Sequence, residues 1–285
     1  MKISGIRDQN DVAVVLAFDQ VVPIADHLGL NIHNPQEKVI FTQQLNEMMQ
    51  LYSPAATGVV IAPELGFDAL GEVSPLVGTL FSLERRLFDA DPLSVPILVS
   101  QWGVEAVRNN YGVAKLELMY NPEEKEAATK KQIVAELFDY CQHEGIDLLL
   151  ELVIYIEGTE LEYKQRFSDL QLTAIQELRN SCSLLALEYP MTALGAVTVT
   201  AELDIPWIIT ARDTPYETFK EHLRTALESG ATGFMAMEQF LPPLPATGNP
   251  VFNEKACLEF CTTIGRDRIL ELSRIASEAG ERDKS

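Results

Sequence analysis

Residues 149–155 read Leu-Leu-Glu-Leu-Val-Ile-Tyr, an apolar run with a single carboxylate, Glu151, inside it. An unbroken apolar run is what a strand covered on both faces requires, and such strands belong to parallel sheets whose crossovers are helices. Working outward, this is the fifth of eight β-rich runs: Val12–Asp19, Gly58–Glu64, Thr79–Glu84, Val113–Tyr120, Leu148–Tyr155, Leu184–Tyr189, Trp207–Ala211 and Gly233–Met237. Helical periodicity is clearest over Glu37–Met49, Glu123–Glu144, Asp169–Asn180, Pro215–Ser229 and Asn253–Ala279. Strand–helix alternation makes this an α/β chain, and eight strands fit a closed (β/α)8 barrel better than an open doubly wound sheet. Val95–Ser100, Val-Pro-Ile-Leu-Val-Ser, is a rival strand and is read as loop, which leaves a long connection after the third strand.

The composition agrees. The chain has 285 residues, 47% of them hydrophobic, and a barrel needs about 250 residues. No Ser/Gly run, charge block or low-complexity tract marks a linker, so residues 1–285 are read as one barrel domain, with Leu241–Pro250 as a surface loop. Net charge is −20, from 22 Lys+Arg against 42 Asp+Glu. That field repels phosphate backbones and anionic lipid, so neither nucleic acid nor a membrane surface is an expected partner. No apolar run approaches the ~20 residues that span a bilayer. Few cysteines (Cys141, Cys182, Cys257, Cys261) and no signal peptide before Met1-Lys2-Ile3-Ser4 predict a reducing, cytoplasmic setting. Cys257 and Cys261, four apart on a helix, are read as core thiols.

Charge inside apolar strands is the functional signal. Asp19, Glu64 and Glu84 close the first three strands, Lys115 lies inside the fourth, Glu151 inside the fifth and Glu188 near the end of the sixth. Barrel active sites lie at the C-terminal ends of strands. A lysine flanked by Val113, Ala114, Leu116 and Leu118 is costly to bury unless a carboxylate meets it, and Glu151 is the expected partner. Asp19, Lys115 and Glu151 are therefore either a catalytic or binding cluster or a buried ion pair with a structural role. The four histidines, His27, His33, His143 and His222, are scattered without ligand spacing, and there is no Walker loop or Gly-x-Gly-x-x-Gly. Neither a metal nor another cofactor is expected.

Taken in order, these segments resemble the class I tagatose-1,6-bisphosphate aldolase family and its sulfofructose-phosphate aldolase relatives. Leu-Ala-Phe-Asp-Gln at 16–20 resembles the opening strand, whose aspartate and glutamine line the family's site. Val-Val-Ile-Ala-Pro-Glu-Leu-Gly at 59–66 resembles the second-strand motif, with Ala62 where an aspartate is usual. Val-Ala-Lys-Leu-Glu-Leu-Met-Tyr at 113–120 carries the fourth-strand lysine as Lys115, and 149–155 carries the fifth-strand glutamate as Glu151. Asn253–Ala279 resembles the final helices. The resemblance implies a barrel acting on a small sugar or sugar phosphate, as a monomer or homo-oligomer. With the charges inside the strands, it makes Asp19, Lys115 and Glu151 the expected catalytic positions, and Gln20, Glu64, Glu188, Thr210 and Arg212 the expected substrate-binding ones, Arg212 as an anion handle the family's loop lacks.

The departures fall on the chemistry. The family's sixth strand reads Leu-Lys-Val-Glu-Val-Pro, and here it is Leu185-Ala186-Leu187-Glu188-Tyr189-Pro190, so alanine replaces the Schiff-base lysine. The Ser-Ala-Gly phosphate loop becomes Thr210-Ala211-Arg212, Gly-Arg-Ala becomes Met237-Glu238-Gln239, and the Arg-Gly after Asp-Gln becomes Val21-Val22. A class I aldolase needs a neutral amine, which a methyl group cannot supply. An unperturbed lysine, with pKa ~10.4, is neutral in only about 0.04% of molecules at pH 7. Three readings stay open: a carbon–carbon lyase with its imine moved to Lys115, a barrel that binds a metabolite or partner without catalysis, and an acid–base isomerase using Asp19, Lys115 and Glu151.

Overall fold

The computed structural model describes residues 3, 5–84, 95–99, 102–156, 158–245 and 248–282. All eight expected strands form: β1 (Ala13–Ala17), β2 (Gly58–Ile61), β3 (Gly78–Ser82), β4 (Val113–Tyr120), β5 (Leu148–Ile154), β6 (Leu184–Leu187), β7 (Trp207–Thr210) and β8 (Gly233–Ala236). They pair in parallel in sequence order, and β8 closes onto β1. Closure leaves no sheet edge to protect. The longest ladder joins β4 to β5, from Ala114↔Leu148 to Tyr120↔Ile154. It places Glu117 beside Glu151. Gly233 shows how tightly the ring closes: at φ 145°, an added Cβ would lie 1.8 Å from the Ala13 carbonyl oxygen.

The helices are α1 (Val21–Leu28), α2 (Pro35–Tyr52), α3 (Val104–Asn109), α4 (Ala127–His143), α5 (Glu160–Leu178), α6 (Ala193–Glu202), α7 (Tyr216–Glu228), α8 (Glu254–Phe260) and α9 (Arg266–Arg282). Their starts follow local chemistry. Asn34 caps α2 by accepting from the Gln36 N–H, with Pro35 at the first helical position. Thr159 and Glu162 make a reciprocal capping box that starts α5 nine residues before the expected Asp169. The helical stretch expected over Asn253–Ala279 forms as two helices joined by a wider π turn at Cys261–Gly265. Cys257 and Cys261 are buried thiols, as expected.

Val95–Ser100 is not a barrel strand. Leu98 makes one antiparallel bridge to Glu84 and its segment otherwise runs as irregular chain, while Ser100 lies outside the described residues. Between strands and helices lies a continuous apolar core that includes Phe18, Phe81, Phe167, Trp207, Phe219 and Phe234. Among the described residues no helix is long and apolar enough to cross a membrane.

Candidate functional site in the barrel mouth

Side chains alternate along a strand, so Lys115 and Glu117 share one face of β4, and the Lys115 contacts show that this face looks into the barrel. The Lys115 side chain is fully buried, and its ammonium crosses the lumen to Asp19, just beyond β1, at 2.5 Å from Oδ2. On the neighbouring strand Glu151 Oε2 stands 2.7 Å away, confirming the expected pair. Glu84 Oε1 and Glu117 Oε2 complete the surround at 3.8 Å each. The Ser82 hydroxyl stands 3.1 Å from Asp19 Oδ2 and 2.8 Å from Glu84 Oε1. Four carboxylates around one buried ammonium favour its charged form and fix its position. That arrangement is the reverse of what an attacking amine requires.

Above this layer lies a cavity of about 180 Å³. Its walls come from the ends of β1, β7 and β8 and the middle of β5, and include Gln20, Glu151, Thr210, Arg212, Asp213 and Glu238. The Gln20 amide donates to Glu117 Oε2 at 3.3 Å. Arg212 Nη1 lies 3.7 Å from Glu117 Oε1. Glu188 receives the Ile154 N–H at 3.3 Å. Burial pushes the Glu188 carboxyl up from its ordinary value, against the pull of Arg212. Burial also raises Glu238, reinforced by Asp213 and opposed by His27, the Asp213 backbone N–H and Arg212. Thr210 Oγ1 and Gln239 Oε1 are buried with no hydrogen-bond partner among the described residues. Asp213 sits at φ 37°, in the left-handed region that aspartate tolerates better than most side chains.

Of the residues singled out in the sequence, Asp19, Lys115 and Glu151 meet directly, and Gln20, Thr210 and Arg212 line the cavity above them. Glu188 joins through Ile154 and the field of Arg212. Glu64 does not: it is exposed on a short turn after β2 and lines no part of the cavity. Ala186 is fully buried, in ladder register between Glu151 and Ile208. The sequence reading missed Glu117, Asp213 and Gln239. Glu117 was detectable, since a residue two beyond an inward lysine on a strand faces the same way.

No protein-family model matches the chain. A tagatose 1,6-diphosphate aldolase 2 of Streptococcus mutans is 23% identical over 263 residues, covering 80% of this chain and 79% of that protein. The same protein of Streptococcus pyogenes serotype M1 is 24% identical over 254 residues, covering 77% and 76%. Among solved structures, an archaeal fructose 1,6-bisphosphate aldolase superposes with a TM-score of 0.68 at 11% identity, covering 97% of this chain and 98% of that one. The chain is aldolase-like in sequence over about four fifths of its length, and it has the barrel fold of the solved aldolase.

Proposed function

We propose that this chain is an aldolase-like barrel that binds a small sugar-class molecule in its mouth and forms no imine with it. The observation that carries the reading is the state of Lys115, fully buried between Asp19 and Glu151 while alanine stands at position 186. An ammonium so enclosed serves as a fixed positive centre that orders carboxylates, and those carboxylates present acceptors to ligand hydroxyls. The similarity to tagatose 1,6-diphosphate aldolases supports a sugar as the ligand class. Loss of the sixth-strand amine supports binding, or chemistry without an imine, over the lyase reading with a relocated imine.

The acid–base reading keeps one specific observation in its favour. Glu188, raised by burial, lies within the field of Glu151, which the Lys115 ammonium holds. Two carboxyl groups in unlike environments are the usual basis for one acid and one base. The test is titration of the wild-type protein with D-tagatose and D-fructose, followed by saturation-transfer NMR. Both sugars are expected to show contact that weakens at least about fivefold in Thr210→Val, from loss of one buried hydroxyl partner. Absence of contact with either sugar would contradict the proposal.

A further inference from the structure

In (β/α)8 barrels, phosphate sites are commonly built from the loops after strands seven and eight. Here those loops form one wall of the cavity. Their polar groups are arranged against an anion. Glu238 lies on that wall, where the Asp213 backbone N–H, a donor of the kind a phosphate would use, favours the Glu238 carboxylate. Asp213 adds a second acid beside it. Arg212 is the nearest cation, and its Nη1 is buried with no hydrogen-bond partner among the described residues, but its charge is shared: Glu117 lies 3.7 Å from Nη1, and its field also reaches Glu188 and Glu238.

The balance continues inward. Lys115 faces Asp19, Glu84, Glu117 and Glu151. Asp213 and Glu238 line the cavity, and Glu188 lies within the field of Arg212, Glu151 and Asp213. Among the described residues, Lys115 and Arg212 are placed against these carboxyl groups, with the His27 ring also acting on Glu238. Even with Glu188 and Glu238 protonated, the acids outnumber them. Two further groups point to what the cavity receives. Thr210 is 6% and Gln239 5% exposed, both line the cavity, and Thr210 Oγ1 and Gln239 Oε1 have no hydrogen-bond partner among the described residues. An amide oxygen can only accept, and the hydroxyl can accept as well as donate. Buried polar atoms left unmatched are costly, and a hydrogen-bond donor arriving with the ligand would satisfy them.

We infer that the ligand is a polyhydroxy compound bearing an amine and no phosphate, with its ammonium beside Asp213 and Glu238 and its hydroxyls on Thr210 and Gln239. The inference rests on the reading of the mouth as a sugar site and narrows it. An ammonium supplies three donors and opposes the excess negative charge, whereas a phosphate brings acceptors and repulsion to a wall of acceptors.

The experiment compares three ligands of one carbon skeleton by calorimetry: D-fructose, 1-amino-1-deoxy-D-fructose and D-fructose 1-phosphate. The amine is expected to bind about tenfold or more tighter than the neutral sugar, and the phosphate more weakly than either. Its advantage should shrink as salt is raised, and Glu238→Arg should reverse the order of amine and phosphate. Equal binding of amine and neutral sugar, or tightest binding of the phosphate, overturns this inference and leaves the sugar site standing. No binding by any of the three overturns both. The salt series on wild-type protein decides the matter even if Glu238→Arg does not fold.

Discussion

Lys115 carries more of the account than any other residue. Its four methylenes and ammonium occupy the barrel axis with no exposure, and its charge is met by Asp19 at 2.5 Å and Glu151 at 2.7 Å. Burying such a group repays its desolvation only where partners are close and well placed, and removing one member leaves the others uncompensated. Here one removal strands four carboxylates together. Lys115→Met keeps the side-chain length, and it is expected to lower unfolding free energy by about 3–5 kcal/mol. A urea midpoint at fixed pH checks this, and a change below about 1 kcal/mol would show that the mouth is wet enough to solvate the acids. Ala186 is the complementary residue. Its methyl fills a buried interior position next to Glu151 in register and offers no group that can react with a carbonyl.

At the scale of elements, the strands were readable because burial on both faces writes itself as apolar runs, and the charges that interrupt those runs mark the barrel interior. Lys115 and Glu151 were paired from adjacent strands on cost alone. What escaped was set by loops and caps. The start of α5 depends on the cap made by Thr159 and Glu162, which apolar rhythm does not encode, and Glu64 sits on a turn whose direction no periodicity encodes. Asp19 closer to Lys115 than Glu151 is a contact across the ring, between β1 and β4, and only closure brings it about.

Strand ends also hold a titration that can be measured. Glu188, just beyond β6, receives the β5 Ile154 N–H, yet burial holds its carboxyl above the ordinary value. The folded state therefore binds this proton more tightly than the unfolded chain does. Stability from that proton is present below the ordinary carboxylate value, about 4.3, and is lost as pH rises through the raised one. Glu188→Gln should gain melting temperature over wild type, and the gain should grow from pH 4.5 to pH 7.5. A gain that stays constant or shrinks over that range would contradict burial as the dominant influence.

At the scale of the whole molecule, an acidic chain of net charge −20 folds into a barrel whose mouth is itself acidic among the described residues. The tagatose aldolase similarity extends over most of the sequence, and the mouth of this barrel carries alanine at position 186 and a wall made by Thr210–Asp213 and Met237–Gln239. The frame is held by the β4–β5 ladder and the Lys115 cluster, beneath the cavity. The central claim, sugar binding without an imine, meets its most direct test in borohydride reduction with tagatose 1,6-bisphosphate and with D-tagatose, read by peptide mass spectrometry. The account predicts no adduct on wild-type protein with either compound, and an adduct at position 186 when Ala186→Lys places an amine on the sixth strand. A reduced adduct on Lys115 of the wild type would contradict it.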